Sequence, residues 1–212
     1  MTTDHLYSGS RTATLRRVTT AGFVLAFMLF LLLPCVAVSW DREDAAPSRQ
    51  GSIHISHTGG ELIIQDPTIE VVGVFLPSNI GSETYTENLV EVQAGAPIFA
   101  VLTALGLVAG AVITMSRLRV LLSAAMAAGG IVLLVVTEAM ATVGLMNGVR
   151  DDGYRAAFQP EVQGLDPRAR VGEVVDTTIG FWLALATLVV IVFLNIGSFL
   201  AGLRRCGSAV RP

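Results

Sequence analysis

Glu138 is the one ionisable side chain inside a long apolar segment of this sequence. A charged group within a bilayer is costly, so an intramembrane carboxylate is a candidate for proton transfer, ion binding or partner binding. The segment begins just after Arg119, which places Glu138 roughly 28 Å along the helix, near its far boundary. From there it can also reach water, or accept a hydrogen bond from Thr177 or Thr178 in a structural role. Both interpretations stay open at this point.

Asn195 is the second polar candidate in an apolar segment. It lies about 17 residues into a helix that enters from the Glu138 side, which places it toward the opposite membrane face. We therefore expect Asn195 to form hydrogen bonds between helices rather than to partner Glu138. Small residues four apart permit close helix approach, and they occur as Gly106 and Gly110, Ala125 and Gly129, and Gly197 and Ala201. Gly106, Gly110 and Asn195 are the candidate helix-packing residues.

A histidine pair raises the question of a metal site. His54 and His57 are three apart, and Glu61 or Asp66 would complete a ligand set of the kind that zinc prefers. Residues three apart on a strand point to opposite faces, however, which argues against a shared metal ion. We assign no metal, cofactor or catalytic residue.

The two cysteines are predicted to lie on opposite sides of the bilayer, at Cys35 and Cys206. A disulfide allows only about 6 Å between Cα atoms, so these two are not expected to pair. The chain also has no C-x-x-C motif, which removes a thiol oxidoreductase from consideration.

The apolar residues are collected into four blocks that must position these candidates. Hydrophobic residues make up 52% of the chain and charged residues 15%. A bilayer is crossed by about 20 helical residues, and helices satisfy every backbone group internally. We predict a membrane all-α fold, a four-transmembrane-helix bundle with a small β-rich extracytoplasmic domain in the first outer loop. The predicted segments are a cytoplasmic tail over 1–17, transmembrane helices over 18–40, 92–116, 120–146 and 177–203, extracytoplasmic loops over 41–91 and 147–176, a cytoplasmic turn over 117–119 and a cytoplasmic tail over 204–212.

The first outer loop carries the strand signals. Apolar residues alternate over 52–56, a turn is predicted at 57–60, and further strands are predicted over 61–65, 68–76 and 88–92. Asp66-Pro67 is expected to interrupt the pattern. Glycines and prolines break the second outer loop, where we expect little regular structure beyond a short helix near Tyr154 and Phe158.

Arginine placement predicts the orientation. All fourteen basic residues are arginine; eight of them, with one acid, lie in the two tails and the tight turn, whereas six, with fifteen acids, lie in the two long loops. Arginine is retained in short cytoplasmic segments, so both termini are predicted to be cytoplasmic in a bacterial inner membrane. The first apolar run is longer than a usual signal core, which favours a retained span over a cleaved signal peptide. The absence of lysine is typical of a GC-rich genome and suggests an actinobacterium.

The overall plan resembles small actinobacterial membrane proteins with four spans. The resemblance rests on Trp40 after the first span, the β-rich loop, the turn Ser116-Arg117-Leu118-Arg119 and the terminal Arg204-Arg205. It is a likeness to the tryptophan-operon-associated membrane protein family and to accessory subunits of mycobacterial lipid importers. No functional residue is carried over from it.

Three functions follow as expectations. The first is a non-catalytic accessory or assembly subunit of a larger membrane complex, in lipid or envelope transport, because the polar residues are concentrated in the outer loops. The alternative is a small oligomeric transporter or channel that uses Glu138. A membrane enzyme acting on lipid or cell-wall precursors, with Asp151 and Asp152, is the third. Membrane lipids and a larger protein complex are the expected partners, a homo-oligomer is compatible with the pattern, and nucleic-acid binding has no support.

Overall fold

The chain contains four helices that are long and apolar enough to cross a membrane, as expected of a multi-pass membrane protein. A computed structural model describes residues 4–42, 51–73, 95–114, 119–150 and 175–208. Within these ranges the long helices are α1 Asp4–Leu32, α3 Gly95–Ile113, α4 Arg119–Arg150 and α5 Ile179–Ser208. The membrane-length portions of these helices are Ala13–Leu32, Gly95–Ile113, Val120–Asn147 and Ile179–Ala201.

The first span ends eight residues earlier than its predicted boundary at Trp40. Helix α1 stops at Leu32, and strand β1 covers Pro34–Arg42. Proline has no amide hydrogen and its ring clashes with the preceding helical turn, while the residue before it is biased to extended backbone. The predicted helix over 18–40 is therefore wrong at its end, because Pro34 marks where the helix stops.

A four-stranded antiparallel sheet covers one end of the bundle. Its other strands are β2 Gly51–Thr58, β3 Thr68–Gly73 and β4 Val175–Thr177, and the order is β3-β2-β1-β4. One prediction about the sheet was wrong. It is not confined to the first outer loop, because β1 comes from the predicted first span, and β4 comes from the end of the second loop and takes residue 177 from the predicted fourth span.

A short helix, α2 Gly59–Ile64, stands where a turn and a strand over 61–65 were predicted. Thr58 caps it: the Glu61 amide donates to the Thr58 hydroxyl over 3.1 Å, and the Thr58 amide donates to the Glu61 carboxylate over 2.6 Å. This reciprocal pair satisfies amides that a new helix leaves unpaired. Gln65 ends the helix at φ 58, in the left-handed region. The predicted break at Asp66-Pro67 is confirmed, and β3 occupies the first part of the predicted strand over 68–76.

The four long helices form a ring in which α1 contacts α3 and α5, and α4 contacts the same two helices. Large apolar side chains meet at its centre, where Phe23, Leu107, Leu134 and Leu188 are buried. The sheet lies across the end of the bundle at which α1 ends and α5 begins, and we call this the sheet end and the opposite one the far end. The inward face of the sheet is apolar, with Val36, Val38, Ile55 and Val175 buried against the bundle.

Candidate functional site

Glu138 lies at the sheet end of α4, beneath β4. Only 7% of its surface is exposed. The Thr177 side chain is hydrogen-bonded to its carboxylate, as the sequence suggested for Thr177 or Thr178. Thr178 instead donates its hydroxyl to the Pro34 carbonyl oxygen and its amide to the Cys35 carbonyl oxygen, over 2.8 Å for the amide. Glu138 therefore joins α4 to the strand that leads into α5.

One carboxylate oxygen of Glu138 has no partner in the described part of the chain. Its Oε1 atom is buried and accepts no hydrogen bond from the residues described there. A buried oxygen of this kind costs free energy unless a proton, a water molecule or an ion satisfies it. This site can therefore take up a proton or a small cation, which is the chemistry that the sequence suggested for an intramembrane carboxylate.

Cys35 lies close to Glu138 at an irregularity in β1. The register between β1 and β2 shifts between Pro34 and Val36, which places Cys35 at a β-bulge. The thiol is buried and points to the carbonyl oxygens of Phe30 and Leu33, each 3.7 Å away. Burial raises the pKa of this thiol to about 12, and the nearby Glu138 carboxylate contributes in the same direction. Cys35 is thus a neutral thiol and a poor nucleophile.

His57 is a further buried polar group at the sheet end. It pairs with Val36 across the sheet and is fully buried, and neither ring nitrogen has a hydrogen-bond partner among the described residues. Burial lowers its pKa to about 4, against a smaller opposing effect of Glu61. Its neutral ring therefore lies within the interior, and strand alternation was the one sign of that burial in the sequence.

The histidine pair does not form a metal site. His54 is exposed on the outward face of β2, whereas His57 is buried on the inward face, as their spacing predicted. Glu61 is occupied by the α2 cap and by the Thr68 hydroxyl. Partial burial is the largest single contribution and raises the pKa of Glu61. The hydrogen bonds together outweigh it, so the pKa of Glu61 is lowered. Within the described ranges no three His, Cys, Asp or Glu side chains are grouped to hold a metal ion.

Asn195 lies toward the far end, on the side predicted from the sequence. Its side-chain amide donates to the Ile191 carbonyl oxygen over 2.8 Å and approaches the Thr19 hydroxyl on α1 at 3.5 Å. Two further polar contacts join neighbouring helices and were not anticipated. They pair the hydroxyls of Thr20 and Thr114 at 2.6 Å and those of Thr103 and Thr137 at 3.0 Å.

The small-residue pairs separate into packed and outward-facing positions. A methyl group at Gly110 would meet the Phe23 ring, whose Cδ1 and Cζ atoms are 2.7 Å from that position, so α3 and α1 pack closely there. At Gly106 it would make an ordinary contact with Leu133 at 3.5 Å. A methyl group at Gly129 or Gly197 would meet no described heavy atom within 4 Å outside its own helix backbone, so those two glycines do not mediate packing among the described helices.

Other sequence candidates have a simpler outcome. Cys206 lies on α5 roughly 40 Å from Ile179, whereas Cys35 is beside the start of that helix, so the two cysteines are far apart as expected. Asp151, Asp152 and the predicted strand over 88–92 lie outside the described residues, as do Tyr154 and Phe158. The tight turn is described only at Arg119, where α4 begins.

No protein-family model, curated protein or solved structure matches this chain.

Proposed function

We propose that this chain is a non-catalytic accessory or assembly subunit that docks on a larger membrane complex, with lipid or envelope transport as the process it serves. The proposal places it in a bacterial inner membrane with both termini in the cytoplasm and the sheet outside. The observation that carries it is the direct continuation of the sheet into two spans.

Strand β1 follows α1 after one residue, and β4 is separated from α5 by Thr178 alone. The Thr178 amide and hydroxyl bind the backbone of β1, which ties the two junctions together. The sheet is therefore held at a fixed position on the bundle. A surface that is ordered before it binds loses less entropy on docking, which suits a subunit whose task is recognition.

The face of the sheet that points away from the bundle is polar. His54 and Glu70 are opposite one another on β2 and β3, and both are exposed, as is Asp176 on β4. Polar, solvated faces are the usual outer faces of antiparallel sheets, and they become the rim of an interface when a partner covers them. We assign docking to this face.

Purification in a gentle detergent tests the proposal. The chain should be recovered with a stoichiometric partner that mass spectrometry identifies. Glu70→Arg should release that partner, whereas Asp66→Arg, an equal charge change at an exposed site off the sheet, should retain it. Recovery of the native chain only as a free monomer would contradict the proposal, and a reporter fused after Pro212 checks the orientation separately.

A second candidate function is a small oligomeric transporter or channel in which Glu138 is the coupling carboxylate. The unpartnered, buried Oε1 atom favours it. Glu138→Gln keeps the shape and the hydrogen bond to Thr177 but removes the charge, so flux in proteoliposomes should be abolished. Glu70→Gln makes the same change outside the spans and should leave flux intact. An unchanged rate in Glu138→Gln ends this candidate.

A further inference from the structure

A small polar pocket opens between the helices at the far end of the bundle, well away from Glu138. Its lining combines residues of α1, α4 and α5 with Thr114, which directly follows the end of α3. These are Leu15, Arg16, Thr19, Thr114, Val120, Ser123 and Asn195. Four of these polar side chains are buried, at Thr19, Thr114, Ser123 and Asn195. Buried polar groups that converge in an apolar bundle call for a partner.

Two hydroxyl groups in this pocket have a proton to donate and no acceptor among the described residues. The Ser123 side chain is 1% exposed and makes no hydrogen bond in the part of the chain that the structure describes. The Thr19 hydroxyl oxygen accepts from the Asn195 side-chain amide. The Thr19 hydroxyl therefore still has its own proton to donate. A group that satisfies both must offer oxygen lone pairs.

The one charged side chain among the described residues that line the pocket is basic. Arg16 contributes to the lining and is exposed, and no acidic residue belongs to that described lining. Val120 and Ser123 belong to the first turns of α4, which begins at Arg119. A helix start presents unpaired amide hydrogens and a positive partial charge, both of which favour an anion.

The size of the pocket limits what enters. Its empty space is about 190 Å³, and this figure includes the open mouth. The enclosed interior has room for about one water molecule, and therefore for one oxygen atom of a ligand. The remaining atoms of a larger anion would stay at the mouth, beside Arg16.

We propose that this pocket binds a phosphate group, with one phosphate oxygen accepting hydrogen bonds from Ser123 and Thr19 and the others facing Arg16. The position at a membrane-length helix end makes a phospholipid headgroup one source of that group and free phosphate the other. Arginine and hydroxyl donors around a helix start are the chemistry that recognises phosphate in proteins.

Lipid retention tests the proposal on the full chain. The protein is purified in detergent, offered phosphatidylglycerol, and examined by native mass spectrometry for one retained lipid per chain. Arg16→Gln should weaken retention about tenfold, and Ser123→Ala by a similar factor, because each removes a hydrogen bond to a charged group. Arg17→Gln is the matched control, since Arg17 is also exposed but does not line the pocket. All four proteins are first shown to melt at comparable temperatures.

Inorganic phosphate separates the two sources. If lipid is retained and millimolar phosphate does not displace it, the lipid headgroup is the ligand. If phosphate displaces the lipid, or raises the melting temperature of the lipid-free native chain but not of the variants, free phosphate is the ligand. Equal losses in Arg16→Gln and Arg17→Gln would show only general attraction of the helix ends to anionic lipid, and would overturn the proposal. Retention unaffected by Ser123→Ala, or no binding of either probe, overturns it as well.

Discussion

Replacing Gly180 with alanine should destabilise the junction that holds the sheet on the bundle. A methyl group there would lie 2.8 Å from the Leu33 Cβ atom and closer still to the Pro34 carbonyl oxygen. Most of these neighbours are backbone or atoms fixed to it, so the strain cannot be relieved by a side-chain rotation. The start of α5 and the end of α1 would have to move apart.

The size of the effect follows from two costs and one smaller gain. Inserting a methyl group into a tightly packed site costs about 1–3 kcal/mol. Weakening the 2.8 Å bond from the Thr178 amide to Cys35 adds about 0.5–1.5 kcal/mol. Alanine restores up to about 1 kcal/mol of helix propensity, and less in the first turn of a helix. The net expectation is a loss of about 1–4 kcal/mol.

Gly197 supplies the matched control on the same helix. It is exposed, and apart from its own helix backbone no atom of the described residues lies within 4 Å of a methyl group placed there. Gly197→Ala should therefore be neutral or stabilise the chain by up to about 1 kcal/mol. Reversible unfolding in mixed micelles measures both variants. If Gly180→Ala unfolds at or beyond the wild-type midpoint, or Gly197→Ala loses as much, the packing argument is wrong.

Three further expectations concern buried polar groups. The His57 pKa of about 4 lies below its value in the unfolded chain. The free energy of unfolding that is present above about pH 6.5 should therefore fall by about 3 kcal/mol as the pH falls toward 4. His57→Phe should remove this pH dependence of unfolding, whereas His54→Phe should keep it. Because the Cys35 pKa is near 12, little thiolate is present at pH 8. In a Cys206→Ser background, alkylation of the folded chain should therefore be about a thousandfold slower than alkylation of the unfolded chain, from the lower thiolate fraction alone. Equal rates would show that the site is open. A double-mutant cycle with Thr103→Val and Thr137→Val should give a coupling of about 0.6 kcal/mol, and zero coupling would remove that contact from the stability argument.

The four spans were predictable because lipid selects for long apolar blocks, and sequence spacing also gave Thr177 or Thr178 as one possible hydrogen-bond partner of Glu138. The capping residues of α2 were visible as Thr58-x-x-Glu61, the spacing of a reciprocal cap, but we predicted a turn over 57–60 and a strand over 61–65. The end of α1 was marked by Pro34, yet apolar content outweighed it. Each of these signals was local and was present in the sequence.

Which segments of the chain form the sheet could not be predicted in the same way. Val36 pairs with His57 on one side and with Thr177 on the other, residues that are far apart in sequence. A three-residue strand such as β4 has no periodicity of its own. Its pairing is imposed by the bundle, because α1 and α5 are neighbours and bring the two junctions together.

The polar contacts explain why the helices adopt this ring and not another. Lipid tails are as apolar as leucine, so apolar burial alone does not select the neighbours of a membrane helix. Thr20 with Thr114 joins α1 to α3, Thr103 with Thr137 joins α3 to α4, and the Asn195 amide at 3.5 Å from Thr19 links α5 to α1.

The remaining neighbours, α4 and α5, are joined at the sheet end through Glu138 and Thr177. Three of these four contacts use neutral hydroxyls or an amide, which are sufficient to fix a register. A glutamine would fix this one equally well, since it offers the same oxygen to Thr177. A carboxylate is therefore not required to fix the helix register. Its oxygen without a partner among the described residues distinguishes the Glu138 contact from the other three. For that reason Glu138→Gln, rather than a truncation, is the substitution that separates a chemical role from a structural one.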